Sequence, residues 1–289
     1  MPELPEVQAL VEFLRARTDG LVVTGVELGS ISVLKTFSPP PQALVGAPVD
    51  GVSRHGKFLD IDCGGTHLVF HLARAGWLRW SDAMPATVLR PGKSPIALRA
   101  RFDDGSGFDL PEAGTRKSLA AYIVSDVSAV PRIVSLGPDP MADDFTLEVF
   151  AAIAASHRMQ VKGMLRDQSI IAGVGNAYSD EVLHVARLSP FALAATLSPE
   201  EVERLYAALR GTLAGAVATA SGKPAKELKD AKRAGMRVHG RTGEVCPECG
   251  DVEPELDRER LVELEQRRCR GGSCLPRLVE ALQRRGERG

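Results

Sequence analysis

Apolar residues along the chain fall into two periods. Val7, Leu10, Val11 and Leu14 recur at helical spacing behind Pro5, and Gly20 follows the run, which predicts an amphipathic helix over 5–18. From 21 to about 130 the pattern shortens to β-type runs at 21–28, 58–62, 67–72, 97–102 and 121–124, with Asp104-Gly105 as a hairpin signal. The stretch 81–96 holds Pro85, Pro91 and Pro95 and reads as a loop. From about 143 to 220 the period returns to helical, at 145–155, 161–166, 176–185 and 199–216. Residues 221–236 are polar and lysine-rich and read as a linker, and a cysteine-bearing tail follows. The expectation is an α+β chain: an N-terminal helix, a β-sandwich or barrel-like domain, a helical domain and a small cysteine module. The boundaries are drawn at 1–130, 131–236 and 237–289.

Composition narrows the class. The 289 residues are 44% hydrophobic and 25% charged, as in ordinary globular chains, and are enough for two or three domains. A net charge of −1 argues against a uniformly basic nucleic-acid binder and leaves room for a segregated basic face. No apolar signal region opens the chain and no stretch is long and apolar enough to span a bilayer, so no membrane partner and a cytoplasmic address are expected. Of five cysteines, four lie between 246 and 274, and in a reducing compartment such clustering points to metal rather than disulfides.

The first six residues, Met1-Pro2-Glu3-Leu4-Pro5-Glu6, carry the sharpest chemistry. Removal of Met1 leaves Pro2 with a free secondary amine. An α-amine titrates near about 8, so much of it is nucleophilic at neutral pH. Attack on a sugar aldehyde gives an iminium, an electron sink for breaking bonds at neighbouring carbons, and Glu3 could shuttle the protons. The plainer alternative makes Pro2 a spacer and Pro5 a first-turn helix residue. Lys57, in Arg54-His55-Gly56-Lys57, falls in a turn before a strand, where a lysine either contacts phosphate, moves a proton or is simply solvated. In 168–181, QSIIAGVGNAYSDE, Gly173 and Gly175 bracket a tight turn and Asn176 follows where a helix would begin. Such a helix start attracts phosphate, and the Asn176 side chain either caps the helix or donates to phosphate. The basic stretch 223–241 either tracks a nucleic-acid backbone or is a solvated linker. Cys246-Pro-Glu-Cys249, with Cys269 and Cys274 further on, has the spacing of one structural zinc held by four thiolates, and Cys63 reads as a buried strand residue.

Together the Pro-Glu-Leu-Pro-Glu-Val start, the Gly-Lys-Phe-Leu turn, His71-Leu72 with Gly76, the IAGVGNAYSDE stretch and the run from Gly240-Arg241 to Cys249 resemble the formamidopyrimidine-DNA glycosylase / endonuclease VIII family of base-excision repair. The resemblance implies a bifunctional DNA glycosylase and abasic-site lyase, with a β-sandwich, a helix-two-turn-helix domain over 131–236, a zinc finger, and DNA in the cleft between. It makes Pro2 the nucleophile at C1′, Glu3 the acid on the opening sugar, and Glu6 a support for that site. Lys57 becomes a proton-transfer and phosphate-holding residue, and Lys162 and Asn176 contact the DNA backbone. It implies one zinc, damaged double-stranded or abasic DNA as partner, a monomer, and the bacterial cytosol or nucleoid as the place of work.

The chain also departs from the family. Arg74 stands where a methionine usually fills the gap left by the flipped base, which makes it the candidate for that contact. Glu112-Ala113-Gly114-Thr115-Arg116-Lys117 replaces an arginine-arginine-phenylalanine loop. Cys269 and Cys274 are more widely spaced than the usual second pair, Leu264 stands where an arginine is expected, and 252–268 reads as helix rather than hairpin. Two rival functions follow: an abasic-site lyase with little base excision, and a catalytically silent damaged-DNA binder. An intact Pro2 and Glu3 argue against the latter, because binding alone needs neither.

Overall fold

The computed structural model describes residues 1–245 apart from 93, 114–116 and 242. Helix α1, Leu4–Thr18, opens the fold. Pro5 occupies its first turn, where the missing N–H costs nothing, and Glu3 and Glu6 form a reciprocal capping box. Its Val7, Leu10, Val11 and Leu14 are all fully buried, as the spacing predicts.

Eight antiparallel strands follow: β1 Val23–Leu28, β2 Val49–His55, β3 Phe58–Cys63, β4 Thr66–His71, β5 Arg79–Ser81, β6 Ile96–Phe102, β7 Gly107–Pro111 and β8 Ala120–Val124. They form two four-stranded sheets, ordered β1-β6-β7-β5 and β2-β3-β4-β8. Side chains alternate across each strand. Leu59, Ile61 and Cys63 of β3 join Leu98, Ala100 and Phe102 of β6 and the inner face of α1 in one core. The rings of Phe70 and Phe108, one from each sheet, lie 5.8 Å apart in it. Cys63 is buried, and burial pushes its thiol up to about 12, so it is an inert core residue. The other face of β3 and β4 makes a smaller cluster, in which Phe58 and Val69 pack with Tyr122 and Val130.

Three strands escaped the periodicity. In β2, Ser53 and His55 point at Asp60 rather than at solvent, which leaves the strand without an apolar signature. Chain β5 has only three residues, and β7 ends on Pro111. The Asp104-Gly105 hairpin joins β6 to β7, with Gly105 at φ +84°.

The helices after the sheets are α2 Pro131–Val134, α3 Leu147–Ser156, α4 Val161–Arg166, α5 Asn176–Ala186, α6 Pro199–Ala220 and α7 Leu228–Gly235. The described residues divide into two compact units, 1–136 with 217–232, and 137–216 with 233–245. The supposed linker at 221–236 contains a helix, and its residues 221–232 belong to the sandwich unit. Ser221 Oγ donates to Glu12 Oε2 at 2.7 Å, Trp77 Nε1 donates to the Ala225 carbonyl at 3.0 Å, and Leu228 is buried in the sandwich core. In the other unit Phe145, Phe150 and Tyr206 pack ring to ring, and Arg210 Nη1 donates to the carbonyls of Pro140 and Ala142. No helix among the described residues is long and apolar enough to cross a membrane.

The Arg99–Asp109 ion pair lies between neighbouring strands of the sandwich. Arg99 grips Asp109 with two hydrogen bonds of 2.7 and 3.0 Å, and its third nitrogen donates to the Thr87 carbonyl at 2.9 Å. Both side chains are almost fully enclosed. Deleting one partner strands a buried charge, so Asp109→Ala should destabilise the protein by about 3 kcal/mol or more in denaturant titration.

Candidate active site

Pro2, Glu3 and Glu6 are all buried, the two acids to 2% and 1% exposure. The Glu3 backbone N–H donates to Glu6 Oε2 at 2.8 Å, which fixes the turn that presents residue 2. Both carboxylates sit at the start of α1, where the helix dipole favours negative charge. A cation completes the group. Lys232 Nζ of α7 lies 2.7 Å from Glu6 Oε2 and 3.8 Å from Glu3 Oε1. Burial, and next the charge of Lys232, hold the α-amine of Met1 below its ordinary value. The basic pattern of 223–241 suggested a nucleic-acid contact or a solvated run for this lysine. The structure turns it toward the two acids, a pairing across 226 residues that no local spacing shows.

Lys57 occupies the turn between β2 and β3, with Gly56 before it at φ +56°, and is only 7% exposed. A solvated turn lysine would be open to water, so burial removes that alternative. Arg54 ties the turn down, donating from Nε to Gln8 Oε1 of α1 at 3.0 Å and from Nη1 to the Gly56 carbonyl at 3.2 Å. The next residue, Phe58, pairs with His71 across the β3–β4 ladder, and their rings lie 4.8 Å apart. Burial, with the positive charges of Arg132 and Lys57 nearby, lowers His71 to about 4. His71 is thus a neutral imidazole at pH 7. The Ala73 N–H donates to its Nδ1 at 3.0 Å, which puts its own proton on Nε2.

In the second unit the turn before α5 is locked from within. Gly173 has φ +87°, a conformation open to glycine. The Gln168 side chain spans the turn, accepting from the Gly173 N–H at 2.9 Å and donating to the Val174 carbonyl at 2.6 Å. The cap of α5 is Gly175, with no side-chain cap bond, so Asn176 is not the cap and its side chain stands exposed at the helix start. Lys162 pairs with Asp180 at 2.5 Å, and Asp180 also meets His239 Nδ1 at 2.7 Å. Glu181, which the motif reading did not single out, is buried and accepts the backbone N–H groups of Arg237, Val238 and His239 at 2.8–2.9 Å. It thereby fixes the stretch that leads toward the cysteines.

Comparisons with known proteins bear on the family. Residues 1–118 match the family model of the formamidopyrimidine-DNA glycosylase N-terminal domain, and 136–226 match that of its H2TH domain. A formamidopyrimidine-DNA glycosylase of Pelotomaculum thermopropionicum is 33% identical, over 87% of this chain and 92% of its own. The chain belongs to the formamidopyrimidine-DNA glycosylase family. That family is one of base-excision-repair enzymes. Among solved structures, a Lactococcus lactis member bound non-covalently to DNA containing an AP site has a TM-score of 0.73 at 26% identity, covering 86% of this chain and 92% of that one. The wild-type enzyme of the same organism with N7-benzyl-Fapy-dG DNA has a TM-score of 0.75 at 26% identity, covering 87% and 93%.

Within this family frame, Arg74 stands exposed on the tight turn after β4, beside Ala73 at φ +51°. The turn closes through the Gly76 N–H to the Leu72 carbonyl at 2.9 Å, and a Cβ on Gly76 would lie 2.3 Å from that oxygen. The Ala113 N–H donates to the Ala75 carbonyl at 3.2 Å. Glu112, in the replaced loop, is buried and accepts the N–H groups of Ser118 and Leu119 at 2.6 and 2.9 Å. Cys246, Cys249, Cys269 and Cys274 lie outside the described residues, as do Leu264 and 252–268, and among those described no group of three or more acidic, histidine or cysteine side chains is placed to hold a metal.

The lowered His71 gives a pH dependence with a definite sign. The native chain binds the imidazole proton only near pH 4, whereas an unfolded histidine binds it near pH 6.5. Stability should therefore fall as pH drops through that window, by at most about 3 kcal/mol. Denaturant titrations of wild type and His71→Gln at pH 7 and pH 5 should show the smaller loss in the variant.

Proposed function

We propose that this chain is a bifunctional DNA glycosylase and abasic-site lyase, acting on damaged double-stranded or abasic DNA through the amine of Pro2. The observation that supports it most is the buried Glu3–Glu6 pair, whose capping box fixes Glu3 next to the proline. A burial site for two acids at a chain start is costly unless their position is needed.

Once Met1 is removed, the Pro2 nitrogen attacks C1′ of a damaged nucleotide drawn out of the stack. The C1′–N bond to proline forms as the glycosidic bond breaks, and the departing base anion takes a proton from solvent water. The proton on the proline nitrogen passes to Glu3, which delivers it to the ring oxygen, and the sugar opens to an iminium. Loss of a C2′ proton breaks the C3′–O bond and releases the 3′ phosphate. A second elimination expels the 5′ phosphate, water hydrolyses the remaining iminium, and Pro2 is restored over a one-nucleotide gap. Lys57 holds phosphate near the lesion and takes part in proton transfer. Asn176 donates to the DNA backbone from the start of α5, and Lys162 reaches the backbone from its pair with Asp180. Arg74 takes the place of the void-filling side chain.

Cys246, Cys249, Cys269 and Cys274 would hold one structural zinc. Four thiolates suit a closed tetrahedral site, and the ion would supply folding energy to a tail module. Protein loaded with metal during expression should contain about one zinc per chain by elemental analysis, and Cys249→Ser should lose it. The setting is the bacterial cytosol and nucleoid, with the protein acting as a monomer.

Arg74 favours a second reading, an abasic-site lyase with weak base excision, because a charged tip fits an emptied stack less well than methionine does. One assay separates the two. Borohydride should freeze the trimmed protein on an abasic oligonucleotide, and a retained N-terminal tag should abolish trapping. Trapping on 8-oxoguanine or formamidopyrimidine oligonucleotides as well supports the glycosylase, trapping on abasic DNA alone supports the lyase, and normal trapping by the tagged chain sinks Pro2.

A further inference from the structure

Lys232 meets the start of the chain. Its ammonium donates to Glu6 Oε2 at 2.7 Å and to the Met1 carbonyl oxygen at 3.3 Å, with Glu3 Oε1 at 3.8 Å. The side chain is 14% exposed. The Met1 carbonyl carbon is bonded to the Pro2 nitrogen. Two bonds of about 1.2 and 1.3 Å therefore separate that oxygen from the nitrogen, which places Pro2 N within about 6 Å of the ammonium. The lysine is well braced. Leu228 anchors the first turn of α7 in the core, and the segment before it is tied by Trp77 and by Glu12.

We propose that Lys232 is a positioning residue of the elimination chemistry: it holds Glu3 and Glu6 beside Pro2, and its charge opposes protonation of the trimmed amine so that the amine attacks as the free base. This rests on Pro2 as the nucleophile. The charged groups that bear on the chain start are Glu3 and Glu6 from α1 and Lys232 and Lys229 from α7. The two acids favour the ammonium form and the two lysines disfavour it. For the Met1 amine, burial and Lys232 outweigh the acids, and the amine is lowered. Trimming removes the carbonyl that accepts from Lys232 and leaves a chargeable nitrogen facing it. A cation next to an amine is a known way to keep that amine nucleophilic.

The test is the pH profile of single-turnover borohydride trapping on an abasic oligonucleotide, from pH 5 to 9. Lys232→Gln keeps a hydrogen-bond donor for Glu6 and loses the charge. Its acid limb should move up by on the order of one pH unit, so that trapping below the limb slows about tenfold while the plateau near pH 9 stays close to wild type. Lys232→Met should shift it in the same direction, and Lys232→Arg should restore the wild-type limb. Thermal unfolding confirms that each variant is folded at the assay temperature, and the methionine variant carries the measurement if glutamine disturbs the fold. A limb unmoved in both neutral variants, or moved equally by arginine, overturns the proposal while leaving Pro2 in place. A wild-type chain that fails to trap overturns the Pro2 reading and this proposal with it.

Discussion

The capping box between Glu3 and Glu6 is the constraint on which the rest depends. A helix start leaves backbone N–H groups without partners, and here two buried carboxylates supply them. Burying two like charges together is unfavourable on its own. Three things offset it: the positive end of α1, the hydrogen bonds of the box, and the ammonium of Lys232. The consequence reaches past stability. Residue 2 precedes the cap and cannot change direction without unmaking it, so the chain terminus, ordinarily the loosest part of a fold, is fixed.

The sandwich extends that rigidity. The apolar face of α1 is fully buried in the core that both sheets share, so the helix cannot slide along its axis. The Arg54–Gln8 bond joins the turn that bears Lys57 to the same helix. From that turn the β3–β4 ladder sets Phe58 opposite His71, and the neutral imidazole then receives the Ala73 N–H at the base of the Arg74 turn. Helix, lysine turn and arginine turn are thus linked by successive hydrogen bonds and ring contacts within one unit, each of which needs the preceding element in register.

How much of this could be read from the chain depended on whether a residue's partner was near it in sequence. Helix α1 was legible because its apolar face repeats every three to four residues, and the β6–β7 hairpin because Asp104-Gly105 marks its turn. Strand β2 was not, since its outward polar residues serve Asp60 on the neighbouring strand. Helix α7 reads as a linker because its lysines and acids look solvated until the fold returns Lys232 to the start of the chain. Pro2, Glu3 and Lys57 stood out from their neighbours, yet only the structure shows that all three are buried. Glu181 gave no signal, because its partners are backbone groups more than fifty residues away.

The distribution of charge explains how a chain with net charge −1 can engage a polyanion. Four of its 36 lysines and arginines are committed internally: Arg99 to Asp109, Arg101 to Glu27, Lys162 to Asp180 and Lys232 to Glu6. These pairs position the fold and add little long-range field, since each cation is answered within a few ångströms. The exposed start of α5 at Asn176 and the exposed Arg74 turn are where the proposed reading puts fixed contacts with DNA. Each phosphate that a cation meets releases counterions, so binding to DNA should weaken steeply as salt rises. Moving a base out of the stack costs a few kcal/mol, least for a damaged or mispaired one, which is one source of selectivity for lesions.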